Sequence, residues 1–393
     1  MPSPAKLVLG LMSGTSADGI DAALVKISGA PPHLKIRLIH HTQQPFAPEV
    51  RREILRVAEQ HPLTPGELSQ LHTRLGHIYA QAALAACKKF RISPKKIDFI
   101  GNHGQTIFHQ GRPSHFLGKP VASTLQLGEG STIANLTGIA TVSDFRPADM
   151  ALGGEGAPLV PFADYALYRH RQLGRVSLNI GGIANITVIP ADAKPAAVSA
   201  FDTGPGNMLI DALVQHLTGG RQRYDRDARF ARQGHLHREL LAQLLCEPYC
   251  QLRPPKSTGR EYFGAAYVKK ILLRARRYKL KPHDLVHTVT VFTAASIAAA
   301  LQRFVLPKTG ISQLIVSGGG AQNPLLMAQL SALLPKIVVM PSSRLGVPTD
   351  AKEALAFAIL AYETFHRRPS NLPTATGARG PAILGKICYA PPR

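Results

Sequence analysis

The sequence lacks the features of several large classes of protein. Four cysteines in 393 residues are too few for a disulfide scaffold. The longest apolar stretches, such as Leu7–Met12 and Ala294–Leu301, are too short to span a membrane. No long apolar run follows the first lysine, so no secretory signal is visible. We therefore expect a cytoplasmic protein without a membrane partner.

Two common nucleotide-binding signatures are absent as well. No Gly-x-x-x-x-Gly-Lys-Ser/Thr motif occurs, which excludes a P-loop enzyme. No Gly-x-Gly-x-x-Gly motif opens a helix after the first predicted strand, which argues against a Rossmann domain.

Acidic residues are scarce relative to basic ones. The chain has 24 Asp and Glu against 46 Lys and Arg, a formal net charge of +22. Half of that excess lies between Gly220 and Lys281, where there are sixteen basic and five acidic residues. This segment lacks the aromatic platform of a nucleic-acid site, so we expect no nucleic-acid partner. We interpret it as a solvated face, with steering of an anionic substrate as the alternative.

Apolar residues make up 45% of the chain, which is too much for intrinsic disorder. An apolar strand followed by a glycine-rich turn occurs three times. Two of the turns lead into a second strand and predict hairpins, and the third leads into a helical pattern that begins at Pro324. The strand, turn and following strand are Lys6–Ser13, Gly14–Gly19 and Ile20–Ile27 in the first case, Val176–Ile180, Gly181-Gly182 and Ile183–Ile189 in the second, and Leu314–Ser317 with Gly318–Gly320 in the third.

The first hairpin contains Asp18-Gly19, a pair typical of type I′ turns, in which φ is positive. Helical periodicity predicts helices at Pro65–Phe90, Gly206–Leu217, Thr288–Phe304 and Asp350–His366. Intermixed strands, hairpins and helices favour an α/β fold, and we expect two lobes with a cleft between them. We interpret the Pro-, Gly- and Thr-rich segment Pro369–Arg393 as a crossing back over another lobe.

Glycine turns let backbone N–H groups approach a polyphosphate closely, because no Cβ intervenes. The order of the three turns resembles the actin, hexokinase and Hsp70-type ATPase superfamily. Six segments are further similar to the anhydro-N-acetylmuramic acid kinase family of bacterial cell-wall recycling: Gly10–Asp21, Gly101–Thr106, Asp144–Asp149, Gly153–Val160, Phe201–Asn207 and Lys256–Glu261. The similarity runs from residue 7 to about residue 385.

The resemblance implies a two-lobed actin/hexokinase-like (ribonuclease H-like) ATPase fold with an interlobe cleft. Lobe I would comprise residues 1–146 with the first phosphate hairpin, completed by residues 369–393. Lobe II would comprise residues 147–368 with the second phosphate hairpin, the catalytic Asp and the adenosine motif.

The resemblance also implies a kinase of a small amino sugar that uses ATP and Mg²⁺. Such an enzyme converts 1,6-anhydro-N-acetylmuramic acid, ATP and water to N-acetylmuramic acid 6-phosphate and ADP. Because O6 is tied to C1 in this sugar, a base has to activate a water that attacks C1, and the released O6 takes the γ-phosphoryl group. The oligomeric state stays open, with a homodimer as one option.

Two carboxylates match catalytic or near-catalytic positions of the family. Asp202 matches the catalytic Asp, and an Asp that satisfies turn amides is the structural alternative. Glu353 matches a residue near the sugar and the water, although Asp350–Glu353 also has the spacing of a capping box.

Three further residues match the sugar side of the family. Arg146 matches a sugar-binding position, where a guanidinium suits the lactyl carboxylate of muramic acid. A surface ion pair of Arg146 with Asp144 or Asp149 is the alternative. His103 and Gln105 are expected to line the sugar side, although a hydrogen-bonded core histidine is a near-equal interpretation of His103.

The remaining matches concern the nucleotide. Asp18 and Asp21 are candidates for holding Mg²⁺ through water. Lys256–Glu261 is a family signature without a predicted role. The predicted ATP-binding residues are Gly14, Thr15, Ser16, Ala17, Asp18, Gly19, Ile20, Asp21, Gly181, Gly182, Gly318, Gly319 and Gly320.

Two other functions stay open at this stage. A plain sugar or acid kinase of the same superfamily would phosphorylate a free hydroxyl, with Asp202 as the base that deprotonates it. A chaperone-like or filament-forming ATPase would use the nucleotide to change shape, and it would hydrolyse ATP without a sugar.

Overall fold

The computed structural model describes residues 4–392 and divides into two compact units. Unit 1 consists of residues 4–167 and 351–392, and unit 2 of residues 168–350. Each unit has its own buried apolar core.

The strands of unit 1 are β1 (Lys6–Met12), β2 (Gly19–Ser28), β3 (Lys35–Pro45), β4 (Phe99–Asn102), β5 (Gln105–Phe116), β6 (Lys119–Leu127) and β7 (Thr141–Ser143). The strands of unit 2 are β8 (Arg175–Ile180), β9 (Ile183–Ile189), β10 (Ser199–Pro205), β11 (Gln313–Ser317) and β12 (Val338–Pro341). The last strand, β13 (Lys386–Cys388), returns to unit 1.

The helices, joined by short 3₁₀ turns, are α1 (Pro48–Ala58), α2 (Pro65–Lys89), α3 (Gly130–Thr137), α4 (Pro147–Ala151), α5 (Val160–Tyr168), α6 (Met208–Leu217), α7 (Arg238–Leu245), α8 (Pro248–Gln251), α9 (Arg260–Phe263), α10 (Ala265–Arg277), α11 (Pro282–Ala300), α12 (Pro324–Leu333), α13 (Lys352–Phe365) and α14 (Pro373–Thr376).

The main sheets of the two units share one topology. In unit 1 the order is β13-β7-β4-β1-β2-β3, and in unit 2 it is β10-β9-β8-β11-β12. In each sheet the first three strands form an antiparallel meander, and the next two strands run parallel to the first. This repetition confirms the two-lobed α/β ATPase fold that the resemblance implied.

Both predicted hairpins and the strand–Gly-Gly-Gly–helix unit are confirmed. The prediction of a type I′ turn at Asp18-Gly19 is wrong. The residue with positive φ is Ala17 (51°), and Gly19 is already the first residue of β2. Gly19 is required for a different reason, since a Cβ there would lie 2.4 Å from the Gln44 carbonyl oxygen on β3.

The four predicted helices are confirmed as α2, α6, α11 and α13. Among residues 4–392, the helix Pro282–Val305 is long and apolar enough to cross a membrane, with a mean hydropathy of 1.5. The sequence analysis does not predict this membrane-length helix, because buried threonines such as Thr290 and Thr293 interrupt its apolar runs. Since 83% of its apolar window is buried inside the protein, its length and composition are weak evidence for a membrane.

The observed units divide the chain at different residues from the expected lobes. Residues 147–167 and 351–368, which we had assigned to lobe II, lie in unit 1. The reason is helix α13, which packs on β1, β2 and β4 of unit 1. The C-terminal segment also lies in unit 1, where β13 pairs antiparallel with β7.

Two glycines let helix α13 lie directly on this sheet. Gly10 of β1 and Gly101 of β4 are paired in register. A Cβ on Gly10 would lie 1.9 Å from the Ala354 carbonyl oxygen, and a Cβ on Gly101 would lie 2.4 Å from the Phe357 carbonyl oxygen. Any side chain at either position therefore forces the backbone of α13 away from the strands.

We expect Gly10→Ala to lower the free energy of unfolding by at least about 1–3 kcal/mol, because overpacking against backbone cannot relax through a side-chain rotation. Thermal unfolding followed by circular dichroism measures the loss. Gly66→Ala is the matched control, because Gly66 is exposed in the first turn of α2 and a Cβ there has room. Equal melting temperatures for the two variants would contradict the close approach of α13.

Candidate active site

A buried hydrogen-bond network holds the turn between β1 and β2. The Ser13 hydroxyl hydrogen bonds to the Tyr79 hydroxyl and donates to Gln105 Oε1 at 2.9 Å. Gln105 Nε2 donates to the Gly14 carbonyl at 3.2 Å. Gln105 is buried, with 1% of its surface exposed. Its amide group therefore supports the predicted phosphate turn from behind.

The two aspartates near this turn have different surroundings. The Asp18 side chain is 61% exposed and forms an ion pair with Arg51 at 3.3 Å. The Asp21 side chain is 23% exposed, and its Oδ1 lies 3.4 Å from His41 Nε2. The Asp21 carboxylate also raises the pKa of Glu353. Asp21 therefore belongs to the group of charged side chains around Glu353.

Arg146 is held by uncharged partners. Its Nη1 donates to the Gly156 carbonyl at 3.0 Å, and its Nη2 donates to His103 Nε2 at 3.0 Å. Its Nε is buried and has no hydrogen-bond partner among residues 4–392. Burial lowers the Arg146 pKa to about 10, so the guanidinium stays charged at neutral pH.

The alternative of a surface ion pair between Arg146 and Asp144 or Asp149 is wrong. Asp144 pairs with Lys386 at 3.1 Å. Asp149 is fully buried and accepts hydrogen bonds at 2.7 Å from Asn371 and at 2.9 Å from the Gly156 N–H. Across residues 4–392 no carboxylate is bonded to the Arg146 guanidinium, so its charge is available to an anion.

His103 has both ring nitrogens engaged. Nδ1 lies 2.8 Å from the Gly104 carbonyl oxygen, which only accepts, so Nδ1 carries the proton. Nε2 is then free to accept from Arg146. The ring is 3% exposed and packs on Phe357 at 4.4 Å between centroids. His103 therefore orients the guanidinium of Arg146.

Glu353 lies in the first turn of α13. The capping-box interpretation of Asp350–Glu353 is wrong, because Ala351 is the N-cap residue and no side chain caps the helix. Lys352 instead forms a buried ion pair with Asp164 at 2.8 Å. The Glu353 side chain is exposed, but desolvation still raises its pKa; Lys352 and Arg146 oppose this shift and Asp21 adds to it.

In unit 2 the glycine turns meet at one place. The Gly206 and Met208 N–H groups donate to the Gly182 carbonyl, and the Asn207 N–H donates to the Gly181 carbonyl at 2.8 Å. A Cβ on Gly206 would lie 2.3 Å from the Gly181 oxygen. Asn207 Nδ2 also donates to the Ile180 carbonyl at 3.2 Å. The Gly181-Gly182 turn is thus joined to the start of α6.

The turn Gly318–Gly320, which follows β11, lies close to Asn207 and to the end of β8. Gly318 has a φ of 78°, and a Cβ there would lie 2.7 Å from both Asn179 Oδ1 and the Ile180 carbonyl oxygen. A Cβ on Gly319 or Gly320 would be within 3.4 Å of the Asn207 side chain. The structure therefore brings together all five predicted glycines of unit 2, with Asn207 between them.

A cavity of about 580 Å³ adjoins Gly319 and Asn207. Burial raises the pKa of Asp211 to about 7, and the Asp225 charge adds to the shift. The Asp225 carboxylate itself accepts the Phe230 and Ala231 N–H groups at 2.8 and 2.9 Å. The lining residues are Asn207, Ile210, Asp211, Arg223, Tyr224, Asp225, Arg226, Asp227, Gly319, Gln322 and Asn323.

Most of these cavity residues escaped the sequence analysis. Arg223 and Arg226 are exposed, as the solvated-face interpretation predicts, and they also line this cavity. The alternation of acidic residues with these arginines at 225–227 was the signal that distinguished them from a plain basic surface.

Asp202 lies on β10 at a β-bulge, where the pairing with β9 shifts between Asp202 and Gly204. Its carboxylate is half-buried, and Oδ2 accepts the Thr258 N–H at 2.9 Å. Burial raises its pKa to about 6. Asp202 accepts no turn amide from its own Thr203–Asn207 segment, so the turn-satisfying alternative does not describe it.

The segment Lys256–Glu261, for which the sequence analysis predicts no role, contacts Asp202 through its backbone. The Asp202 N–H donates to the Lys256 carbonyl at 3.1 Å. The Glu261 charge raises the Asp202 pKa, and the Lys256 charge lowers it.

Across residues 4–392, no three His, Cys, Asp or Glu side chains are grouped as direct metal ligands.

We expect His103 to stay neutral throughout the range from pH 8 to pH 5, because burial, reinforced by Arg146, lowers its pKa to about 3. The unfolded chain takes up a proton at the ordinary histidine pKa of about 6.5, so the contribution of His103 to stability falls below that pH. Nitrogen NMR of the ring, assigned with His103→Gln, measures the tautomer directly. A ring protonated on both nitrogens at pH 5 would contradict this contact with Arg146.

Comparison with known proteins adds independent information. A family model described as anhydro-N-acetylmuramic acid kinase matches residues 6–390. A protein of that name from Caldanaerobacter subterraneus subsp. tengcongensis is 44% identical over 382 residues, covering 97% of this chain and 96% of the relative. Another from Bacillus cereus strain AH187 is 43% identical over 384 residues, covering 97% and 99%.

Similarity to solved structures is much weaker. The activator of the 2-hydroxyisocaproyl-CoA dehydratase from Clostridium difficile, solved with bound ADPNP, is 10% identical with a TM-score of 0.41. The alignment covers 92% of this chain and 96% of the activator. The assignment to a family therefore depends on the sequence relatives.

Proposed function

The chain belongs to the anhydro-N-acetylmuramic acid kinase family, and from this premise we propose that it opens the 1,6-anhydro ring with water and phosphorylates O6 with ATP. The products are N-acetylmuramic acid 6-phosphate and ADP. The observation that carries the proposal is the half-buried Asp202 carboxylate, which keeps one oxygen free of hydrogen bonds from residues 4–392.

The chemistry of the substrate explains why a carboxylate is needed. O6 is bonded to C1, so it carries no proton that a base could remove. A water has to attack C1 while the C1–O6 bond breaks, and O6 then attacks the γ-phosphorus as the bond to ADP breaks. One proton of the water goes to the base, and the other stays on the new C1 hydroxyl.

Asp202 is the proposed base. A general base works best with a pKa near the working pH, and burial brings the Asp202 pKa to about 6. At neutral pH the carboxylate is therefore mostly ionised and still basic enough to take a proton from water. The bulge at Asp202–Gly204 supports this role, because bulges change the direction of a side chain at the end of strand pairing.

Arg146 is proposed to bind the lactyl carboxylate of the sugar. Its charge is not neutralised by a bonded carboxylate, and His103 fixes the plane of the guanidinium. We propose that His103 supports the sugar side by orienting Arg146, and that Gln105 lies where the sugar side meets the phosphate turn, because its amide also holds the Gly14 carbonyl. Glu353, which interacts electrostatically with Arg146, is proposed to contact the sugar or the attacking water.

The nucleotide is proposed to bind at the glycine turns. In unit 2 the turns at Gly181-Gly182 and Gly318–Gly320 offer backbone without side chains, as a polyphosphate requires. The adjoining cavity, with Asp211 as a hydrogen-bond acceptor, fits the nucleoside end. In unit 1 the turn at residues 14–21 is proposed to contact the phosphates.

The residues present fit a magnesium ion held mainly through water. Mg²⁺ in phosphoryl-transfer enzymes usually takes one or two carboxylates and keeps several waters. Asp21 offers such a carboxylate next to Glu353, and the exposed Asp18 offers a second one. When bound, the ion would neutralise the charge of the phosphates.

We place this reaction in the recycling of cell-wall sugars in the cytoplasm, with a small amino sugar as the partner. The plain sugar kinase is the alternative within the same family of folds, and it would leave the anhydro ring closed. The two reactions differ by one water in the product.

The decisive experiment uses ATP, Mg²⁺ and the anhydro sugar in ¹⁸O-water. We expect one ¹⁸O label at C1. By mass spectrometry, the product should be heavier by one labelled water than a phosphorylated sugar whose anhydro ring is intact. Asp202→Asn keeps the shape and removes the base, so it should lower kcat at least ~10²-fold while ATP binding by calorimetry survives. A phosphorylated sugar with an intact ring would refute the hydrolytic step.

Arg146→Ala should raise KM for the muramic sugar by roughly 10- to 100-fold, because a charge-assisted bond to a carboxylate contributes about 1.5–3 kcal/mol. KM for ATP should change little. An anhydro sugar that lacks the lactyl group is the control substrate, and its KM should be nearly the same for both enzymes. Equal losses on the two sugars would show that Arg146 does not bind the lactyl carboxylate.

A further inference from the structure

The backbone of Lys256–Glu261 is hydrogen bonded to Asp202, although the two lie more than fifty residues apart in the sequence. The Lys256 carbonyl accepts the Asp202 N–H at 3.1 Å, and the Thr258 N–H donates to Asp202 Oδ2 at 2.9 Å. These bonds fix both the backbone and one carboxylate oxygen of Asp202. The reaction as proposed so far uses no side chain of this segment.

The Lys256 side chain is anchored on Tyr249, which also contacts Asp202. Its Nζ donates to the Tyr249 carbonyl at 3.1 Å and lies 4.7 Å from the centre of the Tyr249 ring. The Tyr249 hydroxyl donates to the Asp202 carbonyl at 3.0 Å. Lys256 is 8% exposed, so its ammonium is held against Tyr249 rather than moving in solvent.

Glu261 is positioned by the glycine two residues before it. A Cβ on Gly259 would lie 2.4 Å from Glu261 Oε2, so the Glu261 carboxylate folds back over that glycine. The side chain is exposed on the short helix α9. The Glu261 carboxylate and the Lys256 ammonium, both in one continuous segment, change the pKa of Asp202 in opposite directions.

We propose that Lys256–Glu261 orients the Asp202 carboxylate and sets how readily it accepts a proton, with Thr258 holding Oδ2 and with Lys256 and Glu261 acting in opposite directions through their charges. These three are positioning residues. Oδ1, which accepts no hydrogen bond from residues 4–392, is the oxygen that receives the proton. This inference rests on the proposed role of Asp202 as the base.

Few other groups near Asp202 could change its pKa. Asn185 faces it across the pairing with β9, and Tyr249 reaches only its carbonyl. Neither is charged at neutral pH. The Asp202 pKa of about 6 is raised first by burial and then by Glu261, while the Thr258 N–H and Lys256 oppose the rise. Removing Glu261 should therefore lower this pKa, and removing the Lys256 charge should raise it.

The test measures the titration of Asp202 in the full-length enzyme. Carbon NMR of the carboxyl groups, assigned with Asp202→Asn, gives the pKa without turnover, and the acidic limb of kcat/KM against pH gives it during catalysis. We expect Glu261→Gln to shift both midpoints down by about 0.5–1 pH unit, with kcat on the plateau within a few-fold of the wild type. Lys256→Gln should shift the carboxyl titration up.

Glu247→Gln is the matched control, because it removes the same charge from the same neighbourhood and Glu247 does not act on Asp202. Both midpoints should stay at the wild-type value in this variant. An unchanged Asp202 titration in Glu261→Gln would overturn the inference while leaving the base role intact. Activity that survives Asp202→Asn would instead refute the base role, whatever the NMR titrations show.

Discussion

Helix α13 touches its sheet backbone to backbone, and the arrangement of unit 1 depends on that contact. Gly10 and Gly101 lie side by side in adjacent strands, and the Ala354 and Phe357 carbonyls rest where side chains would otherwise stand. Because the helix begins at Lys352, the same contact fixes Glu353 at its first turn. One turn later the Phe357 ring packs on His103, which in turn holds Arg146. The close approach at two glycines therefore positions Glu353, His103 and Arg146, which come from three separate segments and of which Glu353 and Arg146 are charged.

The charges of the two units are arranged in different ways. In unit 1, Arg146 is half-buried and hydrogen bonded to uncharged partners, so its charge is available to bind an anion. In unit 2, the Glu261 carboxylate raises the pKa of Asp202 and the Lys256 ammonium lowers it. The first arrangement favours binding, and the second favours a proton transfer near neutral pH. In the proposed reaction, the two units would thus supply different kinds of chemistry.

Much of the fold could be predicted from the sequence, because strands, glycine turns and helices leave local patterns. Both hairpins and four helices were found in this way, and the family resemblance supplied the order of the two units. Local patterns failed where a distant partner decides the structure. Asp350–Glu353 has the spacing of a capping box, but the buried pair Lys352–Asp164 forms at the start of the helix instead. Lys256–Glu261 had no visible role because its partner Asp202 lies more than fifty residues earlier.

The division of the chain also has a consequence for its synthesis. Unit 2 is a single continuous stretch, residues 168–350, whereas unit 1 is split into residues 4–167 and 351–392. On the ribosome, strands β1–β7 emerge before unit 2, whereas the helix that covers β1 and β4 and the strand that pairs with β7 emerge after it. Unit 2 can complete its core before helix α13 and strand β13 of unit 1 have been translated. The nascent chain therefore cannot bring Glu353 to Arg146 until unit 2 has been translated, and strands β1 and β4 lack their covering helix during that interval.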